Sequence, residues 1–198
     1  YRDHPVASSS VRYGLSDTLT LETHGEADEQ LVAGGLGALF TLGEAGLFSG
    51  ALARSVGHQA DGWQRTLGYN WSRLGVTVDY SLQRSFGSYR DIASNDGRPP
   101  PQRTERLLLG VGSSASGRVS LNYSRLDTLE EGRFRSIGAS YSRRLLGGVT
   151  LFVNAARELD NGESYSLYAG LSVSLGGRVN GGVSASHNRD GAKQQAAY

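Results

Sequence analysis

The 198-residue chain contains no cysteine, which excludes a disulfide framework and a thiolate metal site. It contains no apolar run near the roughly 20 residues of a transmembrane helix. The longest such run, residues 31–42, is broken by Gly34, Gly35, Gly37 and Thr41. Charge of one sign is not in excess: 20 Lys and Arg face 19 Asp and Glu, for a formal net charge of +1. The charges are scattered, whereas a nucleic-acid surface needs a clustered basic face, so no nucleic-acid partner is expected. An initiating methionine and a leader pattern are also missing. The chain starts at Tyr1 and ends after a polar stretch at 188–195, so residues 1–198 are expected to be a fragment of a longer protein.

Glycine is abundant, at 28 residues, about twice the usual share. Each interior glycine costs a helix roughly 1 kcal/mol relative to alanine, so strands become the default. Strict alternation supports this. Tyr165, Leu167, Ala169, Leu171, Val173 and Leu175 share one parity, and Ser166, Tyr168, Gly170, Ser172 and Ser174 the other. Val76, Val78, Tyr80 and Leu82 alternate with Thr77, Asp79, Ser81 and Gln83. Val119, Leu121 and Tyr123 alternate with Ser120, Asn122 and Ser124, and Val149, Leu151 and Val153 with Thr150, Phe152 and Asn154. Side chains change face at each strand residue, so each segment carries one apolar and one polar face.

About twelve such strands are expected, near residues 8–14, 18–27, 31–42, 47–57, 62–73, 75–87, 103–114, 117–126, 132–144, 148–158, 163–175 and 178–188. Most exceed the five or six residues typical of soluble sheets and match the 9 to 11 that a tilted strand needs to cross a bilayer. Tight turns are expected at Ser16-Asp17, Gly43-Glu44-Ala45-Gly46, Leu74-Gly75, Ala115-Ser116, Leu146-Gly147-Gly148 and Gly176-Gly177. Longer charged connections lie between them at 28–29, 58–61, 88–102, 127–131, 159–162 and from 188 onward. Short turns on one rim and longer loops on the other mark an outer-membrane barrel. A soluble sandwich has no reason to sort loop length by edge, and a solenoid or propeller would carry a side-chain motif in each unit, which is not seen. The fold class expected is therefore all-β, an antiparallel up-and-down transmembrane β-barrel segment.

On that reading the polar parity lines a hydrated lumen, with Asn70, Asp79, Gln83, Asn122 and Asn154 as lumen-facing candidates. Trp63, Leu67, Tyr69 and Trp71 fall on the other parity, the two tryptophans roughly 26 Å apart along the strand. Tilt brings that near the separation of the two aromatic girdles of a barrel. Arg65 shares that parity and must snorkel, its charged head at headgroup level.

Sites for bond chemistry are few. His24 lies between Glu22 and Glu26 on one strand face, an imidazole and carboxylate set that suits several divalent ions, although a polar lumen wall explains it as well. His4, His58 and His187 have no ligand spacing among themselves, and no serine sits in a Gly-x-Ser-x-Gly elbow. Gly34-Gly35-Leu36-Gly37 lacks the lysine and following helix of a phosphate loop. His187 with Ser184 and Ser186 is a serine and histidine grouping of the kind barrel hydrolases use. The expectation is a protein that is not an enzyme, with no cofactor and no metal.

The segment Tyr13-Gly14-Leu15-Ser16-Asp17-Thr18-Leu19-Thr20-Leu21-Glu22 resembles a motif of fimbrial outer-membrane ushers, the platforms of the chaperone–usher pathway. Tyr89-Arg90-Asp91-Ile92-Ala93-Ser94 is similar to another connection of that family, and Gly132-Arg133-Phe134-Arg135 and the Leu-Gly-Gly turns are similar in style. The resemblance implies a large barrel of roughly twenty-four strands interrupted by a β-sandwich plug. This chain would form the part after the plug, without the plug or the periplasmic end domains. It further implies an outer-membrane location, lipid as surroundings, and pilus subunits and periplasmic chaperone–subunit complexes as partners. The alternative is a small self-contained barrel, porin-like or enzymatic.

Overall fold

The computed structural model describes residues 5–58, 60–95, 98–160, 164–174 and 180–189. Among them are twelve strands: β1 (Ala7–Gly14), β2 (Leu19–Ala27), β3 (Leu31–Thr41), β4 (Leu47–Gly57), β5 (Gly62–Arg73), β6 (Val76–Gly87), β7 (Arg103–Ser113), β8 (Gly117–Thr128), β9 (Gly132–Arg144), β10 (Val149–Glu158), β11 (Tyr165–Ser174) and β12 (Asn180–Asn188). They form one sheet in chain order, as an up-and-down succession requires. The twelve anticipated strands are all present. The expected turn at Gly176-Gly177 and the run after residue 189 lie outside the described residues.

By compactness the chain divides into two units. The first comprises Tyr1–Trp71, Asp79–Arg106 and Arg125–Arg133, the second Ser72–Val78, Leu107–Ser124 and Phe134–Tyr198. In the first unit the register joins apolar residues into ladders across strands. One ladder runs Val11, Thr23, Leu36, Leu52, Arg65, and another Leu19, Phe40, Phe48, Tyr69. The Phe48 and Tyr69 rings are 4.4 Å apart, the kind of cross-strand pair that fixes register. The alternate rows pair Arg12 with Glu22, Gly37 and Ala51, and Ser8 with Glu26, Ala33, Ser55 and Gly62. A one-residue slip would exchange the two sets of side chains.

The second unit repeats the plan. Tyr141, Val153, Ala169 and Ala185 form one row, and Arg143, Leu151, Leu171 and Val183 the next on that face. Ser140, Asn154, Tyr168 and Ser186 lie on the opposite face, where Phe152 stacks on Tyr168 at 5.4 Å.

The apolar rows do not meet one another. Leu36 is 71% exposed, Val32 and Leu52 are 60%, and Tyr13 is 67%. The buried apolar residues Leu31, Ala33, Ala60, Tyr89 and Ile92 belong to the polar side of the first unit and the connections at its end. A soluble sandwich would show the reverse, with its Val, Leu and Tyr rows interdigitated in a dry core.

Two sequence expectations change. Connections do not sort cleanly by length: residues 42–46, expected to be tight, outnumber residues 28–30, expected to be long. The 88–102 connection is long, as expected. It also contains a short helix, α1 (Ile92–Asn95), which the glycine-based argument did not anticipate. The β5–β6 turn is tight as expected, with Leu74 at φ 52° and Gly75 at φ 80°, the left-handed pair of a two-residue hairpin. A Cβ on Gly75 would lie 2.3 Å from the Gly112 carbonyl oxygen. Gly75→Ala is expected to destabilise the protein by about 1–3 kcal/mol, read as a lower unfolding midpoint. An unchanged midpoint would contradict this turn geometry.

Candidate functional site

The polar side of the first unit carries the more elaborate construction, because the 88–102 connection folds against it. Gly62 makes the seat: a Cβ there would lie 2.3 Å from the Tyr89 backbone nitrogen and 2.4 Å from the Phe86 carbonyl oxygen. Ser55, fully buried, accepts a hydrogen bond from the Arg90 backbone N–H at 3.1 Å. Glu26 accepts one from the Ile92 N–H at 3.0 Å. The start of α1 is closed by Asp91, whose Oδ1 accepts from the Ser94 N–H at 2.8 Å and the Ser94 hydroxyl at 2.6 Å. Arg90 donates to the Ser94 carbonyl at 2.7 Å. The Tyr89-to-Ser94 motif is thus a self-capped turn anchored by backbone donors. Burial, with the charges of Asp91 and Glu26 nearby, pushes the Tyr89 phenol above its ordinary value and keeps it neutral.

The five lumen-facing candidates all have the polar parity. Asn70 donates to Asp79 at 2.8 Å across the β5–β6 hairpin. Gln83 is on the same side of β6 as Asp79 and is half-buried. Asn122 stands beside Gly138, where a Cβ would lie 2.2 Å from the asparagine Oδ1. Asn154 is in register with Ser140 and Tyr168. Asn70 and Asp79 are therefore brought together, whereas Asn122 and Asn154 belong to the other unit. Around them Gln64 donates to Ser85 at 3.3 Å, and Ser124 shares a hydrogen bond with Ser136 at 2.8 Å. These small hydroxyl and amide groups satisfy one another.

The sets considered for bond chemistry have other partners. His24 Nε2 lies 2.7 Å from Glu26, and Glu22 pairs with Arg12, so the three side chains do not converge on one point. Among the described residues no group of three His, Asp or Glu side chains is arranged to hold a metal ion. His187 is in register with Leu167, on the apolar side, whereas Ser184 and Ser186 pair with Gly170 and Tyr168 on the other. The serine and histidine grouping is therefore split between two faces of one strand. His187 instead meets the Tyr165 hydroxyl at 3.4 Å.

The seat formed by Ser55, Gly62 and Glu26 escaped the sequence reading, because its partners are 35 and 66 residues away in sequence. The Asp91-x-x-Ser94 spacing was the visible trace of the local cap. Ser55→Ala removes the acceptor of the Arg90 N–H hydrogen bond, at a cost of about 1–3 kcal/mol. It is expected to speed tryptic cleavage within residues 88–102, with strand content unchanged by circular dichroism. Cleavage at the parent rate would show that Ser55 does not hold the segment.

No protein-family model matches the chain, and no curated protein sequence matches it significantly. Among solved structures it superposes on the P pilus usher (PapC) translocation pore with a TM-score of 0.70, over 93% of this chain and 42% of that one. Sequence identity is 21%, a level at which the likeness is one of fold. The chain thus spans less than half the length of the pore it matches, and it has the fold of part of an usher translocation pore.

Proposed function

We propose that the chain is part of the wall of an outer-membrane usher pore, through which pilus subunits delivered by a periplasmic chaperone are exported and assembled. The observation that carries this reading is the exposed apolar face. Soluble proteins rarely leave contiguous apolar patches beyond a few hundred Å², and among the described residues nothing covers the ladders through Leu36, Leu52, Phe40 and Phe48. In a bilayer those rows meet acyl chains, and pairing on both sides satisfies the backbone of the interior strands β2 to β11. The fold likeness to an usher pore supports the choice of cargo.

The work is geometric. Asn70, Asp79, Gln83, Asn122 and Asn154 face the passage and offer a hydrated, weakly interacting wall to a folded subunit. No bond is made or broken by the wall. The free energy of assembly comes from the subunits, as each completes its neighbour's sheet with a donated strand.

Asp79→Leu tests the wall. It is expected to reduce surface pili severalfold while leaving barrel folding intact, because the change is on the water side. Tyr80→Asp, one residue away on the lipid side and next to Glu105, is expected to destabilise the inserted protein by on the order of 1–2 kcal/mol and lower the yield of folded barrel. Equal effects of the two changes on folding would contradict the face assignment. A freestanding channel would instead conduct ions as the isolated chain and leave pilus assembly unaffected by Asp79→Leu.

A further inference from the structure

The apolar face of the first unit is interrupted by arginines, and they are not randomly placed. Six consecutive strands each contribute one on that parity: Arg54, Arg65, Arg84, Arg103, Arg125 and Arg133, from β4 to β9. Each lies within three residues of the end of its strand opposite the Leu74-Gly75 rim, so all six fall within about 10 Å of that end along the strands. Three have carboxylates: Arg54 with Asp61 at 3.5 Å, Arg103 with Glu105 at 2.7 Å and Arg125 with Asp127 at 2.7 Å.

Arg65 and Arg84 have no carboxylate partner among the described residues. Both guanidinium groups are held over a single ring, Phe86, at 5.3 and 4.9 Å from its centroid. Arg54 sits over Trp63 in the same way, at 4.9 Å. Two cations sharing one ring repel each other, and more strongly beside a low-dielectric phase than in water. An anion with two or more charges, placed between them, removes that repulsion and accepts forked hydrogen bonds. Two residues further along the same face stand Leu52, Leu67 and Leu82, a strip of aliphatic surface directly beneath the charged level. Phosphate above and hydrocarbon below is the profile of an amphiphile.

Resting on the membrane reading above, we propose that this arginine belt binds the phosphate groups of lipid headgroups in the outer leaflet. The acyl chains lie along Leu52, Leu67 and Leu82, and Arg65 and Arg84 form the principal clamp. The belt would fix the depth of the wall in the bilayer and favour lipids carrying more than one phosphate.

The test uses the detergent-purified protein titrated with bisphosphorylated lipid A, with the same lipid after removal of its phosphates, and with inorganic phosphate alone. Binding is followed by the shift in thermal unfolding. Lipid A is expected to raise the midpoint, and the other two additives are not. Arg65→Gln with Arg84→Gln is expected to weaken lipid A binding about tenfold or more, as loss of charge-assisted hydrogen bonds implies. Arg65→Lys with Arg84→Lys, which keeps the charge, retains most of it. Arg118→Gln with Arg144→Gln, the same charge change near the opposite rim, leaves it unaltered. Equal binding by the Arg65 and Arg84 glutamine variant overturns the proposal, as does an equal shift from dephosphorylated lipid or free phosphate. If lipid A has no effect on a protein that still requires detergent, the belt alone fails. A protein monodisperse without detergent would overturn the pore reading as well.

Discussion

Each interior strand of this sheet completes its hydrogen bonds sideways, with the strands before and after it in sequence, and that leaves two faces to be covered from outside. Register decides which residues go to which. In the first unit it aligns Val11, Leu36 and Leu52 on one side and Glu22, Gly37 and Ala51 on the other. Among the described residues of that unit nothing covers the first row. Burying such side chains against an apolar phase contributes about 1.5–3 kcal/mol each, so a face left bare across five strands requires a solvent that is not water. The membrane reading, the small polar residues opposite and the placement of the arginines all follow from that one uncovered surface.

The polar side obeys a different rule. There the chain supplies its own cover, and it does so with hydrogen bonds more than with hydrocarbon. Ser55 and Glu26 receive backbone donors from residues 90 and 92, Asp91 and Ser94 close the short helix internally, and Gly62 leaves the space into which Tyr89 descends. A segment held this way has the backbone donors of Arg90, Ile92 and Ser94 paired where it meets the sheet and closes on itself. Beyond it, Gln64 pairs with Ser85 in the first unit and Ser124 with Ser136 in the second.

The strands were legible in the sequence because parity is a local signal. The alternation in residues 165–173 or 76–83 is sufficient to assign both structure and face. The β5–β6 turn was legible for the same reason, since Leu74-Gly75 concentrates its evidence in two residues. Loop lengths were less legible. Charge in residues 28–29 suggested a long excursion, but Asp28 accepts from the Gln30 and Leu31 N–H groups at 2.8 and 2.7 Å and closes the turn at once. The docked segment was not legible, because Ser55 and Glu26 look like ordinary strand residues until a distant loop arrives. Arg65 is the instructive intermediate. Its misfit on an apolar parity was visible, but its kinship with Arg84 depends on the Phe86 ring that only the folded hairpin places between them.

The central claim is that adjacent residues of one strand face different solvents. It is tested most directly along β4, Leu47–Gly57, by placing a single spin label at each position in turn in the bilayer-reconstituted protein. Contact with dissolved oxygen, enriched in hydrocarbon, and with a water-soluble nickel chelate is then measured. Two accessibilities alternating with a period of two residues and opposite in phase are expected, oxygen highest at Phe48, Gly50, Leu52 and Val56. In-phase variation, or oxygen maxima at Ser49, Ala51 and Ala53, would contradict it.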